Sequence, residues 1–548
     1  MPKTVTALNN PILDISDDEV QRLIALAKTE AAADAQLTIK QALKKYKKAV
    51  AWSLFLSTSL IMEGFDLAII TAFLGLKPFK DQFGTIKDAK GQWAISAPWQ
   101  SGLTNAAQCG QVLGLVVNGF CQDYFGCRKT FMFFMVWMLV AIFIPFFSTT
   151  PQVLAAGEAL CGIPWGVFQT LSTTYACEIV PTVLRPYVTA YVCGCWGAGN
   201  VIASVAVRAC ATLTDQWAWR IPYGLQWIWP VPLFIGAYFA PESPWNSIRR
   251  GRVEEARTNL RRLRSAGATQ EEIDATVAYI DHTNRLEKAE TAGASFIACF
   301  KGTNLRRTEI NCVTWMAQIL CGNALLNYAV VFLQNAGWSQ NQTFNINIAL
   351  RSCYVIGCVI SWFLMVRVGR ADLYIGGLAF MFCCLIAIGA LGFSSSHGAI
   401  LAVGIVLVIQ TLCNMITVGP VCYPIVSETP SGRLRYKTIV IGRFVYQLTQ
   451  IFNNSVTPRM VSSTAWNWGA KAGFFYAGTC LLCLIWCWFR LPETKDRSFG
   501  EIDLLFENKV PARKFKSTKV DQFIHSTQAV DETHDKEKME VDHIEERV

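Results

Sequence analysis

Charge is what this chain has little of. Only 16% of its 548 residues are Asp, Glu, Lys or Arg, against about 25% in a soluble domain. Histidine is scarcer. The five (His282, His397, His525, His534, His543) all lie outside the apolar runs, which speaks against histidine proton relays and membrane-embedded hydrolytic triads. No Gly-x4-Gly-Lys-Ser/Thr segment occurs, so ATP is not the expected energy source. Cys480-x-x-Cys483 has no nearby histidine or second cysteine pair, so no metal site is expected. With no catalytic constellation visible, neither an enzyme nor a resident cofactor is expected, and nothing points to nucleic acid.

What is present is apolar. Hydrophobic residues make up 52% of the chain, with 18 Trp, 33 Phe and a mean hydropathy of +0.30. That composition belongs to the bilayer. Most of the 20 cysteines sit inside apolar runs, among them Cys193, Cys195, Cys383, Cys384 and Cys487. They read as small polarizable packing residues rather than a disulfide framework.

A helix needs about 20 apolar residues to cross a bilayer. About twelve runs qualify, near 50–75, 98–120, 130–148, 152–175, 187–208, 221–240, 310–333, 344–366, 372–393, 399–424, 438–461 and 470–490. The expected fold is an all-α membrane protein of about twelve transmembrane helices in two six-helix halves, residues 50–240 and 308–490. A polar leader, 1–49, precedes them, with a helix expected to be capped at Ser16 by Glu19. The first apolar stretch should then act as its own insertion signal. The linker 241–307 carries Arg249, Arg250 and Arg252, then a capping box, Thr269 with Glu272, that should open a helix through Leu286. The tail 491–548 turns polar and charge-mixed from about 507, which reads as disordered.

The halves repeat. Glu178 with Arg185 in EIVPTVLRP returns as Glu428 with Arg433 and Arg435 in ETPSGRLRY. PESP at Glu242 returns as PETK at Glu493, and Gly126-Cys127-Arg128-Lys129 as Gly369-Arg370. The offsets are 250, 251 and 243 residues. Folds built this way place their substrate between the halves and gate it by rocking. If the spans alternate, most Lys and Arg of the short loops fall on one side, which should be cytoplasmic along with both termini. The loop holding Lys77, Lys80, Lys87 and Lys90 is the exception.

Carboxylates inside the spans are the strongest functional signal. Glu63 and Asp66, in LIMEGFDLAII, share one helix face. An ionised carboxylate in lipid costs at least ~2.5 kcal/mol, so both must face a cavity or a partner. Proton coupling is the functional reading and a structural helix anchor the bland one. Glu158, in the fourth run, is a third proton candidate unless it sits at a solvated rim. Arg351 lies roughly 10 Å inside the eighth run. Either it snorkels outward or it faces the cavity, where it would favour a negative or strongly hydrogen-bonding group. Gln169, Asn200, Gln318, Asn323, Tyr328, Asn414, Tyr423, Asn453 and Asn454 are spread over both halves. Each alone reads as interhelical glue; together they could line a site for a hydroxyl-rich, sugar-like solute.

These motifs resemble the sugar porters of the major facilitator superfamily. GIPWGVFQT (162–170), LRPY (184–187), NWGAKAGFFYAG (467–478) and PETKDRSFGEIDLLFENKVPARKF (492–515) are similar to fungal α-glucoside proton symporters. The resemblance spans roughly residues 45–515 and implies a plasma-membrane transporter, expected to be a monomer, that takes up an α-glucoside with H+. It places Glu63 and Asp66 as the acidic pair of the first span. Gln318 and Tyr328 fall at its sugar-contacting positions of the seventh span, and Tyr423 at its aromatic position after Gly419-Pro420. Asp123, Arg128, Glu178, Arg185, Glu242, Arg370, Glu428, Arg433, Arg435 and Glu493 match the family's cytoplasmic gating latch. Tyr124 and Ala371 depart from the family by standing where it has arginines. Gln111 replaces a common Glu, Asn200 a common Gln and Leu67 a usual Thr. Rival readings are a carrier of a non-sugar metabolite on the same scaffold and a sugar sensor that does not transport.

Overall fold

The computed structural model describes residues 22, 25–26, 38–87, 91–181, 184–264, 269–291, 296–335, 337–394, 396–431, 434–462, 465–495, 497 and 499–518. The expected cap at Ser16, Arg433 and most of the tail lie outside the described residues.

Twelve helical spans run through these residues. They are Lys47–Phe73, Ala97–Phe125, Cys127–Phe147, Pro151–Ile179, Arg185–Cys210, 217–239, 302–335, Gln340–Arg367, Arg370–Leu391, 397–428, Arg435–Val461 and Ala472–Arg490. Seven stretches are long and apolar enough to cross a membrane by length and composition alone. The other five, spans 2, 4, 6, 7 and 11, fall short for physical reasons. Spans 2 and 11 bury amides and hydroxyls such as Gln111, Asn118, Gln447 and Asn453. Span 4 holds Pro164 and the buried Glu158. Span 6 is interrupted by a 3-10 turn, Gln226–Ile228, and span 7 by Gly322, whose φ of 93° only glycine adopts at low cost. Phe120, Val140, Phe363, Leu482 and Phe489 point outward, exposed as lipid-facing side chains are.

The duplication read from the loops recurs in the packing. Span 1 packs on 5, 2 on 4 and 3 on 6; in the second half 7 packs on 11, 8 on 10 and 9 on 12. The halves meet where span 5 touches 8 and span 2 touches 11, a pair of contacts that the same six-span shift interchanges. Spans 1 and 5 approach closely because Gly64 has no side chain. A Cβ there would overlap the Trp196 carbonyl and lie 3.1 Å from Asn200 Nδ2. Gly64→Val should therefore cost about 3 kcal/mol through overpacking. Recovery of folded protein by gel filtration checks this, and undiminished recovery would contradict it.

Each half has its own apolar core, one around Phe131, Trp165 and Tyr175, the other around Tyr374, Met381 and Tyr476. A third joins them at one end, where Phe73, Phe79 and Trp219 pack with Tyr328, Val330 and Phe344. Polar bonds close the same end. Lys80 Nζ donates to Gln334 Oε1 (3.2 Å), Asn105 Nδ2 to Ser455 Oγ (2.9 Å) and Arg208 Nε to Asn345 Oδ1 (2.9 Å). The lysine-bearing loop that breaks the charge rule belongs to this seal. It holds a short helix, Lys77–Phe83, and a two-stranded ribbon that pairs Ile86 with Ala94.

The opposite, basic end carries the linker. Thr269 and Glu272 form the expected capping box, the Glu272 amide donating to Thr269 Oγ1 (3.3 Å) and the Thr269 amide to Glu272 Oε2 (3.1 Å). The helix it opens runs Gln270–Thr291, five residues beyond the expected end. All 20 cysteines are free thiols.

Candidate substrate and proton site

Glu63 lies midway along span 1 and is fully buried. Its Oε1 accepts from Gln111 Nε2 (3.3 Å) and from Gln169 Nε2, while Oε2 is buried without a partner among the described residues. Each amide passes the contact to the other half. Gln169 Oε1 accepts from Arg443 Nη2 (2.6 Å), and Gln111 Oε1 accepts from Gln447 Nε2 (3.2 Å). A carboxylate on span 1 is thus tied to a cation on span 11 through one amide. Arg443 also stacks over the rings of Trp315 and Tyr446, at 4.8 and 4.6 Å. Tyr423, 39% exposed, meets Trp315 edge-on at 5.2 Å. Aromatic rings and one cation thus line the midpoint between the halves.

Asp66 turns away from this network. Its Oδ1 accepts from Gln226 Nε2, while Glu158 Oε1 accepts from the Tyr223 hydroxyl (2.7 Å). The remaining oxygens, Asp66 Oδ2 and Glu158 Oε2, are buried without another donor, and the two carboxyl groups are within hydrogen-bonding reach of each other. Glu158, 1% exposed, is not at a solvated rim. The alternation of spans alone could not show this, because it gives depth but not the neighbouring helix.

The uncharged candidates divide. Gln318, Asn323 and Asn414 gather around the break in span 7 with open acceptors. Gln318 Nε2 donates to the Gly419 carbonyl (3.2 Å), yet the side-chain oxygens of all three are buried without donors. Gln410, not singled out from the sequence, has the same open oxygen and donates to the Cys321 carbonyl (3.2 Å). A hydroxyl-bearing ligand supplies the missing donors. Asn453 instead pins span 11 to span 7 through the Ile319 carbonyl (3.3 Å), and Asn454 accepts from Gln450 (3.2 Å). Asn200 Nδ2 bonds the Trp196 carbonyl within its own helix (2.9 Å). Tyr328 meets Thr104 Oγ1 (2.9 Å) across the closed end.

The loop charges form two matching clusters. Glu242 accepts from the backbone N–H of Cys127 (2.9 Å) and Arg128 (3.0 Å), and Glu493 from those of Arg370 (2.8 Å) and Ala371 (3.1 Å). Each carboxylate thus caps the positive N-terminus of the third helix of its half. Glu178 pairs with Arg249 (3.0 Å) and accepts from Ser243; Glu428 pairs with Arg370 (3.4 Å) and accepts from Thr494. Neither pair bridges the two halves. Arg128 stacks on Tyr238 (5.4 Å) and Arg435 opens span 11; the side chains of Asp123 and Arg185 lie outside the described residues. The two departures from the family are absorbed locally. Ala371 serves through its N–H, and the Tyr124 carbonyl accepts from Arg250.

A two-half helical membrane protein with a polar, charged midpoint between halves is a transporter of major facilitator architecture. Residues 52–506 match the model of the sugar (and other) transporter family, and the chain belongs to that family. It is 38% identical to a maltose permease of Saccharomyces cerevisiae over 97% of this chain and 87% of that protein. It is 40% identical to a general alpha-glucoside permease of the same yeast, covering 89% and 80%. Among solved structures it is similar to the proton:xylose symporter XylE bound to 6-bromo-6-deoxy-D-glucose. That TM-score is 0.69 at 18% identity, covering 84% of this chain and 99% of the other. An inward open conformation of XylE from E. coli gives 0.67. The relatives are permeases, and this chain is a multi-pass sugar porter rather than an enzyme.

Proposed function

We propose that the protein imports an α-glucoside or a related sugar with H+ across the plasma membrane. One observation carries the reading: Glu63 is linked through Gln169 to Arg443 of the other half. With the basic end in the cytoplasm, the closed end faces outward, and this reading takes the conformer as inward-facing. Both amide bridges from Glu63 cross between the halves, so rocking one half against the other remakes them. A proton on Glu63 removes the charge that Arg443 answers, which couples protonation to the conformational equilibrium. The Asp66–Glu158 pair holds a second exchangeable proton on the path toward the closed end. The sugar sits between Trp315, Tyr423 and the open amides of spans 7 and 10.

Labelled maltose, sucrose and glucose should be offered to a transporter-null yeast expressing the protein while external pH is recorded. Uptake of one sugar with alkalinisation of the medium is expected. Lack of uptake for all three, with the protein at the surface, would refute the reading.

A further inference from the structure

Arg351 is not used by the site just described. It lies eleven residues into span 8 from Gln340, about 16 Å along the helix, and only 3% of it is exposed. At that depth it does not snorkel to the surface. Asn347, Arg351, Tyr354 and Cys358 recur at spacings of four, three and four, so they share one helix face. That face meets the other half. Asn347 Nδ2 donates to Ser204 Oγ of span 5 (3.1 Å), and the Tyr354 ring lies 5.5 Å from that of Trp196. Arg351 sits between these two contacts, at the seam of the halves beneath the closed end.

Its guanidinium is poorly satisfied. Nη1 reaches Asn327 Oδ1 at 3.3 Å and the Tyr354 hydroxyl at 3.5 Å, the Tyr354 ring lies 5.6 Å away, and Nε is buried with no acceptor. Among the described residues no carboxylate forms an ion pair with it. Arg443, the other cation at the seam, is answered by Glu63 through Gln169. A buried, always-charged fork of five donors without an anion is costly at bilayer depth. Sugar hydroxyls cannot supply the missing charge; a carboxylate can, and it matches the fork with two parallel bonds. A phosphate would call for a second free cation beside the first, and Arg443 is already engaged.

We propose that the transported solute is an acidic glycoside, a sugar bearing a carboxylate that docks on Arg351. This rests on the sugar-porter reading above and names the substrate class within it.

Three probes test it in the transporter-null yeast. They are maltose, maltobionate (the same disaccharide with its aldehyde end as a carboxylate) and an α-linked glucuronosyl-glucose. At least one acid should enter with a KM about tenfold below that of maltose. Arg351→Gln should raise that KM about thirtyfold. Arg351→Lys should recover part of the loss. In purified protein, the preferred acid should raise the melting temperature of wild type and not of Arg351→Gln, which separates lost binding from lost folding. If maltose enters while neither acid enters or competes, or if Arg351→Gln leaves the acid's KM unchanged, the proposal is overturned and sugar transport stands. If surface-located protein transports none of the three, both readings fall.

Discussion

Glu63→Gln should bring the accumulation ratio of the transported sugar down to unity while exchange of labelled for unlabelled sugar continues. Glutamine keeps the size of the side chain and its acceptor toward Gln111 and Gln169, so the helix contacts survive. What disappears is a charge that can be gained and lost. Without it no proton state of residue 63 favours one conformer, and a ligand with equal affinity for both states shifts nothing. The variant also leaves Arg443 without its anion. Stacking on Trp315 and Tyr446 and partial exposure lessen that penalty, which should be about 1–3 kcal/mol. Glu63→Gln with Arg443→Leu should therefore restore the yield of folded protein without restoring accumulation. Accumulation by the single variant at wild-type level would remove Glu63 from coupling.

Much of the fold is legible in the sequence because bilayer physics is strict. Apolar length sets the spans, and charged punctuation at a fixed offset reveals the two halves. The structure adds a reason for that punctuation: each Pro-Glu turn supplies the carboxylate that caps a helix of its own half. The site was less legible. Glu63 and Asp66 stand out as carboxylates in an apolar run, yet their spacing suggests one shared role. The helix turn between them and the different neighbours of span 1 send them to separate partners, Gln169 and Glu158. Arg443 reads as a flanking cation in the sequence because the apolar run it belongs to starts at about 438. The signal is nevertheless present, since Arg443 lies about five residues inside its run and Arg351 about seven inside its own. Gln111 reads as a lost acid when compared with the family; in the fold it bridges Glu63 to Gln447. Tyr328 matches a contact position in sequence but serves the closed end, because a motif match does not say which conformer is present.

Glu242→Ala and Glu493→Ala should each lower the melting temperature sharply, and by similar amounts. Each carboxylate is 8% exposed and accepts two backbone N–H groups at a helix N-terminus where no other acceptor is supplied by the helix. A hydrogen bond to a charged group contributes about 1.5–3 kcal/mol, and the dipole term about 0.3–1 kcal/mol. The loss per site should be about 3 kcal/mol after partial rescue by water. For a half of this size that corresponds to a fall of roughly 6–12 °C. Glutamine at either position keeps one acceptor and loses the charge, so it should fall about midway between wild type and Ala. The two sites lie in different halves and share no partner, so the double variant should show nearly the sum of both losses. Thermal aggregation of detergent-purified, fluorescently tagged protein measures all five variants. A fall below about 2 °C for either Ala variant would show that the capping carboxylate of that half does not hold its loop. Equal falls in both would tie the duplicated Pro-Glu turns to one structural task, independent of the arginines that Tyr124 and Ala371 replace.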